Sequence, residues 1–206
     1  FSLAHGFSMK LGYWGFTVYI AGLVLTIVSF SQVNQIWFTA GLSLLFAGFS
    51  LFAIHIGQLL KKRMKKRLDN GVRFSIYALA GSWFLHVFIV FASFLPGQDL
   101  LFARLIYLYV MVWMTFSICG YLFKIIPFLW WTHKYSKRAG QKGTPLLKDM
   151  INERFAAIIF ILFAVSTIGI VISFVFSVNA LFSLSQTLFF VATACYCFMI
   201  FRVMTK

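Results

Sequence analysis

Four histidines are the residues of this sequence best suited to chemistry: His5, His55, His86 and His133. The first three lie in or beside long apolar segments, where an ionisable side chain is a functional candidate. Imidazole is the commonest protein ligand of metal ions and a usual ligand of haem iron. Three hypotheses are therefore open for a buried histidine here: haem or metal ligation, proton handling, or packing with a hydrogen bond to a neighbouring helix. For His133, which follows two tryptophans, an interfacial role is the simpler interpretation.

The other groups that could do chemistry are few. The chain has four Asp and Glu residues in total, and none lies in the middle of an apolar segment. This absence disfavours a carboxylate proton relay or a sodium-coupled transporter. Cys119, Cys195 and Cys197 lie in apolar segments without a CxxC spacing, so we interpret them as packing residues and predict no metal site built from them.

Small and polar residues recur at helical spacing around His86 and His55. Around His86 the stripe consists of Ser75, Ala78, Ser82, His86 and Ser93. Gly41, Gly48 and His55 are seven residues apart. Stripes of small residues let membrane helices approach closely, so both are predicted to face other helices. His55 should lie roughly 8 Å and His86 roughly 18 Å from the inner boundary, which makes them a poor pair for one haem.

The segment that contains His5 shows the same spacing. Its stripe consists of His5, Ser8, Gly12, Gly15, Tyr19, Gly22 and Thr26. The phase predicts one packed helix face that runs from His5 into the first apolar segment, with Lys10 off that face. Because the chain begins at Phe1 and not at Met, we expect further helices before it and interpret the chain as the C-terminal part of a larger bundle.

The elements that must position these histidines are membrane helices. Of the 206 residues, 62% are hydrophobic and only 11% are charged, against about a quarter charged in soluble domains. Apolar spans are predicted at 11–31, 36–60, 74–95, 101–131, 155–178 and 180–203. They are too long and too uniform for barrel strands, so the fold class is an all-α integral membrane bundle with six transmembrane helices in a single domain, 1–206.

The net charge of +14 is concentrated in two short loops, 61–73 and 132–154. The other loops are nearly uncharged. This alternation follows the positive-inside rule and predicts that both loops and both ends of the chain face the cytoplasm, against an anionic inner leaflet. The pattern favours a multi-pass protein of the plasma membrane and excludes a nucleic-acid-binding protein, which would interleave basic and exposed aromatic residues.

Span four and the loop after it carry further local signals. Arg104 and Lys124 are about 30 Å apart along a helix, which predicts a crossing at 105–123 with both cations at the interfaces. Pro127 is predicted to bend the helix beyond it. Thr144 before Pro145 predicts the start of a short surface helix that runs into span five.

One segment, "GYLFKIIPFLWWTHKYSKRAGQKGTPLLKDM" (120–150), resembles a bacterial family of polytopic membrane proteins of Gram-positive type. That family is similar to subunit I of haem-copper oxidases and to NnrS-like haem membrane proteins. The opening "AHGFSMKLGYWGF" resembles helix starts of those proteins in which His binds haem or copper. The resemblance implies His5 as a ligand candidate, and Lys124, Pro127 and His133 as motif positions of unknown role.

The resemblance implies a haem-linked or respiration-linked, oxidase-like role with haem as the cofactor and His5 as a candidate ligand. His86 and His55 are candidate ligands because of their positions in the apolar spans, and His86 matches no motif of the family. Four histidines and six helices are too few for a complete oxidase subunit, which implies a fragment or a reduced relative. The alternative is a non-enzymatic transporter, assembly factor or structural membrane subunit with packing histidines. Its expected partners are the bilayer and either further helices of the same chain or another subunit.

Overall fold

The computed structural model describes residues 8–32, 34–62, 69–95, 97–141 and 143–205, and within these ranges all regular structure is helical. The predicted all-α class is therefore confirmed. The helices are α1 Lys10–Gln32, α2 Gln35–Lys61, α3 Asn70–Ala92, α4 Asp99–Tyr109, α5 Phe116–Tyr135, α6 Glu153–Phe176 and α7 Asn179–Met204, and a π-helical segment, Val110–Thr115, joins α4 to α5.

Six helical stretches in the described residues are long and apolar enough to cross a membrane. They correspond one to one with the six predicted spans, and the largest difference is in span four, whose helix continues to Arg138. Large apolar side chains cover the outward faces, for example Phe190 with 72% of its surface exposed. Such faces suit a hydrocarbon solvent, because lipid imposes no cost on an exposed apolar side chain.

Asparagines mark the starts of two of these helices. The Asn34 side-chain oxygen accepts hydrogen bonds from the backbone N–H groups of Ile36 and Trp37, at the start of α2. Asn152 does the same for Arg154 and Phe155 at the start of α6. Each cap satisfies backbone donors that have no partner within the helix.

The predicted surface helix that begins after Thr144 is wrong. Between Thr144 and Asn152 the structure has only one short 3-10 turn, Leu147–Asp149, and α6 begins separately at Glu153 behind its Asn152 cap. The Thr144 hydroxyl donates to the Arg138 carbonyl at 2.9 Å and caps no helix. Asn152 has an extended backbone, which ends any helix that reaches it from the N-terminal side. Its side chain then caps the new helix, α6.

The same loop is held against α5 by an aromatic side chain. The Trp131 indole N–H donates to the Pro145 carbonyl at 2.7 Å. This bond gives the polar edge of the Trp131 ring a partner in the loop.

The chain packs as two compact units, of which unit 1 comprises Phe1–Leu68 and Leu79–Trp113. In it α1 and α2 run antiparallel with their backbones in contact. A Cβ atom added to Gly48 would lie 2.5 Å from the Tyr19 backbone nitrogen, and one added to Gly22 would lie 2.6 Å from that of Leu45. Gly15, Gly22 and Thr26 are buried, which confirms the predicted packed face over the helical part of the stripe.

Unit 2 comprises Asp69–Ala78 and Met114–Lys206, and its core is aromatic. Phe163 of α6 is fully buried among the rings of Phe74, Phe116 and Phe189. The Tyr196 hydroxyl on α7 donates to the Cys119 carbonyl on α5 at 2.6 Å. Buried rings and one directed hydrogen bond thus hold α5, α6 and α7 together.

Candidate functional site

His86 is the centre of the candidate site, and its stripe on α3 is buried as predicted. Ser75, Ala78, Ser82, His86 and Ser93 are all at most 5% exposed. The His86 Nδ1 lies 3.3 Å from the Ser82 carbonyl oxygen, one turn earlier in the helix. A carbonyl only accepts, so Nδ1 carries the proton and donates, and the lone pair of the neutral ring is on Nε2.

Aromatic rings from α2 and α4 enclose the His86 imidazole. The ring centroid of Phe49 is 4.6 Å away, and that of Tyr109 is 4.5 Å away in an edge-to-face arrangement. Phe46 lies farther off at 6.3 Å, and Trp113 packs edge-to-face on Phe49 at 5.0 Å. We call these five residues the His86 cluster; all of them belong to unit 1.

The π-helical segment Val110–Thr115 positions two members of the cluster. Tyr109 directly precedes it and Trp113 lies within it. A π-helical turn inside an α-helix shifts the helical phase of the residues around it, and such turns are frequent at functional sites. This segment could not be predicted, because "VMVWMT" contains neither Pro nor Gly and carries no local signal for a π-helix.

His55 is also buried, but its surroundings differ from those of His86. It is 4% exposed, and a Cβ atom added to Gly12 would lie 3.2 Å from its Nε2. The same point would lie 3.4 Å from both Cδ2 and Cε1, so α1 packs over the face of the His55 ring at Gly12. Helix backbone thus covers the ring of His55, whereas aromatic side chains cover that of His86.

An apolar cleft lies beside the His86 cluster. It has a volume of about 230 Å³, and its wall includes Phe16, Tyr19, Phe49 and Trp113. Phe49 thus lines the cleft with its ring close to that of His86, whereas His86 is not part of the wall. Pockets that bury a whole ligand usually measure about 300–1,000 Å³. The cleft is therefore too small to enclose a haem without movement of its aromatic wall.

The remaining predicted residues lie elsewhere. His5 falls outside the described residues. Lys124 forms an ion pair with Asp69 at 3.0 Å, and both are about one-third exposed. Pro127 is buried inside α5, and His133 is exposed near its end with its ring 6.3 Å from that of Trp130. These three motif positions belong to unit 2, whereas the His86 cluster belongs to unit 1.

No set of three or more His, Cys, Asp or Glu side chains in the described part of the chain could hold a metal ion together. The chemistry available in the His86 cluster is that of a single neutral imidazole with a lone pair on Nε2, surrounded by aromatic rings. Such a nitrogen can ligate one metal centre or accept one hydrogen bond. The donor chemistry of His86 therefore fits a ligand of haem iron, because a single histidine nitrogen is a usual protein ligand of haem.

Comparison with known proteins identifies no relative of this chain. No protein-family model, no curated protein and no solved structure matches this chain.

Proposed function

We propose that this chain is a haem-linked or respiration-linked membrane protein, with His86 Nε2 as the ligand nitrogen. The observation that carries the proposal is the contact between Nδ1 and the Ser82 carbonyl at 3.3 Å. A histidine that ligates a metal usually donates its other N–H to a carbonyl or carboxylate, which fixes the ring and its tautomer. The resemblance of segment 120–150 to haem membrane proteins points in the same direction.

The other residues of the His86 cluster would hold the His86 imidazole in place and would not bind the haem themselves. Phe49 and Tyr109 hold the imidazole ring from two sides and keep water away from it. The hydrogen bond at Nδ1 would raise the basicity of Nε2, and the dry, low-dielectric surroundings would limit the access of water to it. A bound haem would supply one-electron or gas-binding chemistry, which no side chain of the cluster supplies.

The test is the visible spectrum of the full chain purified from cells with ample haem. We expect a Soret band that is lost in His86→Phe, because phenylalanine fills the aromatic cluster but has no ligand nitrogen. His133→Phe is the matched control and should keep the band, since His133 is exposed on α5. A wild-type protein without a Soret band, or a band that survives in His86→Phe, would rule out His86 as a haem ligand.

A second candidate function is that of a non-enzymatic transporter, assembly factor or structural subunit with packing histidines. The tight enclosure of His86 by Phe49 and Tyr109 favours it, as does the small cleft beside them. For this function the same experiment should give no chromophore in any variant. His86→Phe should then fold as stably as the wild type, whereas His86→Ala should lose about 1–3 kcal/mol through the cavity it leaves.

We also propose that the protein lies in a bacterial plasma membrane with both ends and the loops 61–73 and 132–154 in the cytoplasm. The basic loops support this orientation through the positive-inside rule. Single cysteines in a background without native cysteine, at Lys137 or at Gln98, should report it. In intact cells an impermeant maleimide should label Gln98→Cys and spare Lys137→Cys. Labelling of Lys137→Cys before the cells are opened would contradict the orientation.

A further inference from the structure

A second cleft of unit 1 combines a carboxylate, side-chain amides and three phenylalanines. It lies where α1 ends and α2 begins, beside the connection from α3 to α4, and has a volume of about 340 Å³. That volume is within the range of small-ligand pockets. Both connections are nearly uncharged in sequence, and no function was predicted for them.

The apolar wall of this cleft consists of Phe30, Phe38 and Phe102, one each from α1, α2 and α4. The Phe30 and Phe38 ring centroids are 5.0 Å apart in an edge-to-face arrangement, and those of Phe38 and Phe102 are 5.6 Å apart. The face of each ring carries negative electrostatic potential, which attracts a cation within about 6 Å. Three rings at different angles can offer such faces to one small cation with an apolar body.

The polar part of the wall is acidic and rich in acceptors. Asp99, the first residue of α4, contributes an exposed carboxylate that forms no ion pair with any residue the structure describes. Gln35 donates its side-chain N–H to the Ser93 carbonyl at 2.7 Å, and its own carbonyl oxygen remains available as an acceptor. Asn34 and Gln98 add two more amides to the wall.

The cleft contrasts with the charge of the chain as a whole. The sequence has 18 Lys and Arg residues, yet the residues that the structure describes in the wall include neither Lys nor Arg. The nearest along α4 is Arg104, five positions after Asp99 and thus turned well away from it around the helix. A carboxylate without a cationic neighbour repels anions, and one carboxylate supplies too few ligands for a divalent metal ion.

We propose that this cleft binds an organic ammonium group, primary or quaternary, with Asp99 as the counter-ion and the three phenylalanines around its apolar part. The ammonium could belong to a free amine or to the headgroup of an amine-bearing lipid, because the cleft opens at the end of the membrane helices. This site is separate from the His86 cluster, and its existence does not depend on haem.

Equilibrium dialysis of choline against the full chain in a neutral detergent tests the proposal. We expect saturable binding that weakens about tenfold or more in Asp99→Asn and about threefold in Phe38→Leu. The uncharged isostere 3,3-dimethylbutan-1-ol should bind the wild type at least about tenfold more weakly than choline. The matched control is Asp149→Asn in unit 2, which removes one acidic charge while keeping an oxygen to accept from the Leu146 N–H, and it should bind like the wild type.

Native mass spectrometry of the chain from mixed phosphatidylethanolamine and phosphatidylglycerol distinguishes the two sources. Selective retention of phosphatidylethanolamine that is lost in Asp99→Asn identifies a lipid headgroup, whereas choline binding without lipid selectivity identifies a free amine. Equal binding of the neutral isostere to the wild type, or unchanged choline binding in Asp99→Asn, would overturn the proposal. So would the absence of both saturable choline binding and lipid selectivity.

Discussion

Replacing Phe163 with alanine should destabilise the protein by about 2–4 kcal/mol. Phe163 is 0% exposed, and its ring lies 5.1 Å from that of Phe189 and 5.7 Å from that of Phe116. In a membrane the unfolded helices already lie in an apolar solvent, so little of this loss comes from transfer out of water. It comes from the dispersion contacts that the cavity removes, which is why it should lie toward the lower end of the values for soluble cores.

The matched control is Phe190→Ala on α7, in the same unit. Phe190 is 72% exposed, so the same truncation removes few contacts and should change stability by less than about 0.5 kcal/mol. The measurement is the unfolding midpoint of both variants in mixed micelles of increasing denaturing detergent. Equal midpoints for the two variants would contradict the buried aromatic core of unit 2.

Replacing Gly48 with alanine should separate α1 from α2 and destabilise unit 1 by about 1–3 kcal/mol. The added Cβ would lie 2.5 Å from the Tyr19 nitrogen and 2.7 Å from its Cα. These are backbone atoms, so no side-chain rotation relieves the overlap and the helices themselves must move apart. The expected loss exceeds the gain of up to about 1 kcal/mol that alanine brings to a helix interior.

Gly57→Ala on the same helix is the control for that intrinsic gain. A Cβ at this position meets nothing within 4 Å, so the variant should be as stable as the wild type or slightly more stable. Detergent unfolding should therefore move the two midpoints in opposite directions. A Gly48→Ala midpoint at or above that of Gly57→Ala would show that α1 and α2 do not pack backbone against backbone.

Several features of this protein could be predicted from the sequence because they depend on residues close together in the chain. The spacing of Gly15, Gly22 and Thr26 predicted the packed face of α1, and that of Gly41, Gly48 and His55 predicted the packed face of α2. Helical phase alone determines which residues share a face. That these two faces pack on each other is a tertiary fact that no local pattern shows.

The prediction of the surface helix after Thr144 shows where local signals compete. A Thr-Pro pair is a valid start signal, but Asn152 supplies a second one only a few residues later. The bond from Trp131 to the Pro145 carbonyl then favours a loop held against α5. Neither the choice of cap nor the tryptophan contact could be derived from the pattern of the segment.

The candidate sites depend still more on contacts between distant segments. The sequence identified His86 as buried, but Phe49 and Tyr109 reach it from α2 and from the end of α4. The π-helical segment that sets the phase of Tyr109 and Trp113 has no composition signal. Likewise, the sequence shows Asp99 only as a single charge in a short loop. The cleft that it lines together with Phe30 and Phe38 exists only in the folded chain.

The sequence alone determined the membrane class, the number of spans and the helix faces that are buried. These properties follow from hydropathy and helical periodicity, which act over one or a few turns. Only the tertiary structure decided that the His55 ring packs against α1 at Gly12, that His86 lies between two rings and that Asp99 lines an aromatic cleft. Such neighbours are selected by shape and close contact between helices in an apolar solvent, where hydrophobicity no longer distinguishes one apolar face from another.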